Sequence, residues 1–298
     1  MLRRSRGHSE RVVLRLCAFL LGSVLTASSA AAPGDTCPEG RRPLWRLDLG
    51  DPRWNRGEKG VLALVEDKGG RVISGAGNAR VVADRQRGPV LEIRYPAQSG
   101  SLACVKGGRC PLEGGLNFRL PLPDKKVLTS VVLSYWVKFE PGFAWVKGGK
   151  LPGLCGGACP TGGRSVGPDR FSVRYMWRRG GEATVYAYIT HPPNREYGRD
   201  LGAGAWRWQA DGRWHRVEEE LVLNTGNDND GVIRVWYDRK PGAPPTFERK
   251  DVRFYDRTRH PDAGIDTFIF STFHGGNDGS WSPPKEVTAS FADFQVCR

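Results

Sequence analysis

The residues best equipped for chemistry fall in two short segments, Phe171 to Trp177 (FSVRYMW) and Thr184 to Thr190 (TVYAYIT), joined by Arg178 to Ala183. Alternate side chains of a strand share a face. Ser172 and Arg174 therefore point one way on the first segment, and Tyr186 and Tyr188 share a face on the second. Val185, Ala187 and Ile189 fill the opposite face, as a core would need. An arginine can hold a carboxylate in a two-pronged fork, a serine adds a donor, and a tyrosine can give or take a proton if its surroundings tune it.

Whether the two pairs meet depends on the turn. A three-residue turn over Arg179–Gly181 sets Arg174 opposite Tyr186 and Ser172 opposite Tyr188. A two-residue turn at Gly180 and Gly181 puts the pairs on opposite faces. The sequence permits both, and an ordinary polar face on a solvated sheet has the same pattern. Just upstream, Trp145 to Gly157 (WVKGGKLPGLCGG) reads as a tight irregular loop that could bring Lys147 or Lys150 to a groove.

The elements that must position these groups read as β-strands. Runs rich in β-formers lie between turn signals at Val127–Phe139, Phe171–Trp177, Thr184–Thr190, His215–Leu223, Gly231–Tyr237, Thr267–Phe273 and Ala289–Val296. Weaker candidates are Leu44–Leu49, Val61–Val65, Arg71–Ser74 and Val90–Tyr95. No repeat or low-complexity linker divides the chain. The expected fold is all-β, one antiparallel sandwich of the jelly-roll type over residues 33–298.

Residues 1–32 read as a secretory signal. Five arginines up to Arg15 precede an apolar run, Leu16 to Leu25, and then small residues with Ala30 and Ala32 in an A-x-A pattern. The run is too short to span a membrane, so a secreted, soluble protein starting near Pro33 is expected. The chain carries 45 Lys and Arg against 32 Asp and Glu, a net +13. Such a surface favours anionic partners. Nucleic acid is disfavoured by export and by the lack of a binding motif, and membrane binding by the lack of a basic amphipathic helix.

Six cysteines follow the signal: Cys37, Cys104, Cys110, Cys155, Cys159 and Cys297. In an exported chain they point to disulfides, with fifteen pairings open. Cys104 with Cys110 and Cys155 with Cys159 would staple two Gly-rich loops, and Cys37 with Cys297 would join the ends. Neither close pair has the zinc-type C-x-x-C spacing.

The run GGKLPGL, followed by FSVRYMWR and VYAY, resembles polysaccharide lyase family 14 and the related glucuronan lyases. Phe270 to Trp281 (FSTFHGGNDGSW) and Phe291 to Phe294 (FADF) are similar to this group as well. The resemblance implies a jelly roll that cleaves a 1,4-linked polyuronate by β-elimination, with Lys150, Ser172, Arg174, Tyr186 and Tyr188 in the catalytic roles. Cys155 departs from the pattern, standing where an aromatic residue is expected. In such a reaction Arg174 and Ser172 neutralise the uronate carboxylate. One of Lys150, Tyr186 and Tyr188 removes the C5 proton, and another protonates the departing O4. Arginine and lysine do the neutralising, so no metal or other cofactor is expected. The partner would be an acidic polysaccharide, alginate or glucuronan, bound by a monomer with Lys147 and His274 assisting.

The sequence leaves two rival readings. A retaining glycosidase would need two carboxylates across the scissile bond, and the Glu218-Glu219-Glu220 run reads as solvent-leaning. A lectin-like jelly roll would bind acidic glycans through Arg174 without needing a lysine–tyrosine pair.

Overall fold

The computed structural model describes residues 1–2, 37–38, 40–124, 126–164, 166–193 and 197–298. The expected secretory signal falls almost wholly outside the described residues. Fifteen strands are described: β1 (Pro43–Arg46), β2 (Arg71–Ser74), β3 (Ala79–Asp84), β4 (Gly88–Tyr95), β5 (Leu116–Pro121), β6 (Ser130–Phe139), β7 (Gly148–Gly156), β8 (Phe171–Arg178), β9 (Ala183–Tyr188), β10 (Arg199–Leu201), β11 (His215–Val222), β12 (Gly231–Tyr237), β13 (Phe247–Val252), β14 (Thr267–His274) and β15 (Val287–Cys297). They build two antiparallel sheets packed as a jelly-roll sandwich. One runs β13-β12-β11-β6-β15-β4-β3, with β1 added to β15. The other runs β10-β9-β8-β7-β14-β5-β2.

The core lies between the sheets and is dense in aromatics. Phe118 and Phe270 stack with centroids 4.9 Å apart, and Phe291 and Phe294 of β15 close over them from the facing sheet. Strand alternation decides which residues enter it. On β8, Phe171, Val173, Tyr175 and Trp177 point inward, all fully buried. Ser172, Arg174, Met176 and Arg178 therefore face the other way.

Two local expectations change. Val61–Val65 is part of a helix, α1 (Gly57–Asp67), whose Val61, Leu64 and Val65 bury one face at helical spacing. A five-residue apolar run fits either period, and here packing beside β2 selected the helix. The stretch expected as an irregular loop is instead β7, in the middle of its sheet. Its glycines are there for close packing. A Cβ at Gly149 would sit 2.0 Å from the Trp177 indole, and one at Gly153 would sit 2.1 Å from the Val173 carbonyl oxygen. The glycine-rich composition that reads as loop thus lets β7 lie flush against β8.

The disulfides are Cys37–Cys297, Cys104–Cys110 and Cys155–Cys159. The first ties the segment before β1 to the end of β15. The Glu218–Glu220 run is not solvated. Glu219 is fully buried between the sheets, and Glu220 is held by Arg41 and Arg234.

Candidate active site

The turn after β8 settles whether the two polar pairs meet. Arg178 N–H donates to the Glu182 carbonyl at 2.7 Å, leaving a three-residue turn over Arg179–Gly181, with Gly180 in the left-handed region at φ 61°. The odd loop puts Arg174 opposite Tyr186 and Ser172 opposite Tyr188. On the other flank, β7 places Lys150 opposite Met176. Lys150, Arg174, Tyr186 and Tyr188 thereby share the outer face of the seven-stranded sheet. There they line a groove of about 930 Å³.

Tyr186 is the hub. Its ring has the Lys150 Nζ 3.8 Å from the centroid, with Arg174 at 5.9 Å and Arg178 at 6.0 Å. Tyr188 meets it edge to face at 5.7 Å. Gly198 closes over both rings, since a Cβ there would lie within 2.9 Å of each. Lys150 Nζ also contacts the Met176 sulfur at 2.8 Å. Burial, and then the charges of Arg174 and Arg178, hold the Lys150 ammonium well below the ordinary lysine range. Burial, and then the neighbouring Tyr188, push the Tyr186 phenol up. A lysine that readily becomes a neutral amine thus touches a tyrosine that firmly keeps its proton.

Arg174 forms the floor. It is 2% exposed, donates from Nη1 to Ser271 Oγ at 3.1 Å, and leaves Nε without a partner. Tyr188 is fixed from above, where Gly163 N–H donates to its hydroxyl at 3.1 Å.

The remaining expected site residues sit differently. Ser172 is fully buried and donates to the Pro160 carbonyl at 2.6 Å. It lies under the 157–164 loop, which the Cys155–Cys159 disulfide pins over that end of the sheet, and does not line the groove. Lys147 stands at the rim. Its Nζ donates to Ser280 Oγ at 2.5 Å and lies 6.0 Å from the ring of Trp281, itself a groove residue.

His274 requires a correction, because it faces the core. It is 1% exposed among Tyr95, Phe143 and Trp177, and its Nε2 donates to the Ala144 carbonyl at 2.7 Å. Burial lowers its pKa to about 4. Strand parity explains this, since Phe273, one position earlier on β14, takes the groove side.

Among the described residues, eight that line the groove are Lys or Arg and none is Asp or Glu. Arg178 was recoverable from the sequence as the next in-phase residue after Ser172, Arg174 and Met176. Its guanidinium is tied to Asp200 at 2.5 and 2.7 Å. Arg71, Arg119 and Arg164 come from separate segments and carried no local signal. A two-carboxylate glycosidase mechanism needs a pair of acids across the scissile bond, and the described lining presents no such pair.

Fold and site together define an antiparallel β-sandwich protein with a cationic groove, holding a lysine–tyrosine pair on an arginine floor. The profile of Polysaccharide lyase 14 matches residues 83–294. The chain belongs to that family and is a polysaccharide lyase. Among solved structures it is similar to the PL-14 alginate lyase from Aplysia kurodai, with TM-score 0.68 and 24% identity over 86% of this chain and 98% of that one. It is also similar to alginate lyase vAL-1 from Chlorella virus, with TM-score 0.65 and 22% identity over 86% and 99%. A third, alginate lyase Aly36B, gives TM-score 0.60 and 19% identity over 87% and 95%. At these identities the likeness is one of fold. No curated protein sequence matches the chain.

Proposed function

We propose that the chain is an exported, monomeric lyase, one domain over residues 33–298, that cleaves a 1,4-linked polyuronate by β-elimination. Alginate and glucuronan are its candidate substrates. The observation that carries this is the contact between Lys150 and Tyr186 in a groove whose described lining holds eight Lys and Arg and no Asp or Glu. A mutant of the fold relative Aly36B was solved in complex with an alginate trisaccharide, which makes alginate the first polymer to try. The three disulfides suit an oxidising compartment.

Arg174 receives the carboxylate of the uronate whose C5–H bond breaks. Pairing the carboxylate lets charge move into it from C5 in an enolate-like transition state. Lys150, as neutral amine, takes the C5 proton. The C5 electron pair becomes the C4–C5 double bond as the C4–O4 bond breaks, and Tyr186 gives its proton to the leaving O4. The products are an unsaturated uronate end and a new hydroxyl end. Lys150 then holds the extra proton that Tyr186 lacks, and loss of that proton to water with reprotonation of Tyr186 from water restores both. Opposite shifts on adjacent groups set the division of labour, since a lowered lysine is fit to be base and a raised tyrosine to be acid.

The test is growth of ultraviolet absorbance from unsaturated uronate on polymannuronate, polyguluronate and glucuronan. Lys150→Ala and Tyr186→Phe should each lower kcat by roughly 10²–10⁴-fold. A substrate with a good leaving group at C4 should rescue Tyr186→Phe and not Lys150→Ala. The reverse rescue would exchange the two roles. Silence of the wild-type protein on every polymer, with binding retained, would establish the glycan-binding reading instead.

A further inference from the structure

Toward the β2 edge of the groove, β2 and β5 place Arg71 directly opposite Arg119. Like charges opposite one another on neighbouring strands destabilise a sheet. Arg164, from the 157–164 loop, adds a third cation, and the repulsion of Arg164 and Arg71 reinforces burial in pulling the Arg119 guanidinium down. None of the three forms an ion pair among the described residues. Arg119 spends Nη1 and Nη2 on the carbonyls of Ala158 and Cys159, at 3.1 and 2.8 Å, and keeps a buried Nε without a partner. All three line the groove. An arrangement that is repulsive when empty and attractive to an anion is what a binding site requires.

β5 lies three strands from β8 in the sheet order. Arg119 stands near enough to weigh on the charge of Arg174, but Arg71 on β2 lies one strand further out, roughly 19 Å from the strand of Arg174 at about 4.8 Å per strand, so one sugar ring does not span the row. We propose that Arg71, Arg119 and Arg164 form a distal carboxylate subsite, binding a uronate of the same chain that is not the one being cleaved. The polymer then crosses the strands from the Tyr186–Tyr188 end toward β2, and productive binding depends on chain length. This rests on the polyuronate reading.

The test uses the double variant Arg71→Gln/Arg164→Gln, which leaves Arg119 and its two carbonyl bonds in place. KM for the polymer should rise about tenfold, the loss of one to two charge-assisted contacts. kcat should stay within about twofold, and KM for the shortest oligomer that is cut should be unchanged. As a charge-matched control, Arg213→Gln/Arg259→Gln removes the same charge outside the groove and should leave KM alone. An equal rise in the control, or an equal rise for short and long substrates, would reduce the effect to general steering and overturn the subsite.

The same comparison by calorimetric binding of polyuronate in a Lys150→Ala background separates the two readings. Arginine-dependent binding without any turnover by wild type would keep the subsite and remove the lyase assignment. Turnover with no dependence on these arginines would do the opposite.

Discussion

The outer faces of the two sheets treat charge in opposite ways. On the eight-stranded sheet, cations are matched with acids. Glu220 holds Arg41 and, at 2.7 Å, Arg234; Arg234 also reaches Glu248 at 2.5 Å; and Lys138 meets Asp84 at 2.5 Å. Among the described residues of the groove sheet, neither Lys150 and Arg174 nor Arg71 and Arg119 form an ion pair with an acid, and Arg178 with Asp200 is the exception. The first face is neutralised by its own sequence. The second carries its cations in excess, at a cost in stability that functional sites often carry.

The largest effect that could break this contrast is at Lys150. Lys150→Met should reduce kcat by at least about 10³-fold while raising the thermal midpoint by roughly 2–4 °C, because a crowded cation is replaced by an apolar chain of similar length. Activity of the wild type should rise with pH as Lys150 loses its proton, at a pH well below that of an ordinary lysine. It should fall only where Tyr186, pushed up, ionises. The linkage sign follows. The unfolded chain keeps the Lys150 proton up to about pH 10.4 and the folded one releases it earlier, so wild-type stability rises with pH across that window. Lys150→Met should lack that slope in denaturant titrations at several pH values. A midpoint that drops on substitution would mean that the groove cation is not strained.

A smaller effect is expected at Ser172. Its hydroxyl carries the Pro160 carbonyl and sits outside the groove, so it acts by steadying the loop whose Gly163 N–H reaches Tyr188. Ser172→Ala should lower kcat by about tenfold or less, equivalent to a lost buried hydrogen bond, and Ser172→Thr should restore part of it. A loss as large as that of Lys150→Ala would instead put the hydroxyl on the substrate.

The smallest effect on turnover is expected on the paired face. Glu220→Ala removes the pairs with both Arg41 and Arg234 and should destabilise by about 1–2 kcal/mol, since the pairs are only partly buried. Steady-state kinetics should be unchanged. A drop in kcat there would show that the two faces are coupled through the core.

Local periodicity was enough for much of this. The in-phase spacing of Ser172 with Arg174, and of Tyr186 with Tyr188, put each pair on one face before any fold was known, because alternation is a property of the extended backbone itself. The short β-rich runs between turns implied the sandwich for the same reason. The resemblance of GGKLPGL, FSVRYMWR and VYAY named the family that residues 83–294 match.

Other features were decided only by tertiary packing. The parity of the Arg179–Gly181 turn joined the two pairs, and two conformations of one glycine-rich segment would have satisfied the sequence equally. Gly149 and Gly153 look like loop residues until Trp177 and Val173 are seen pressed against them, so Lys150 on a central strand was hidden. His274 and Phe273 exchange roles by one step of register. Arg71, Arg119 and Arg164 lie tens of residues apart and meet only because β2 pairs with β5 at the edge of the sheet while a disulfide holds the 157–164 loop above it. Strand order is a long-range outcome of which faces bury best, and no local spacing encodes it.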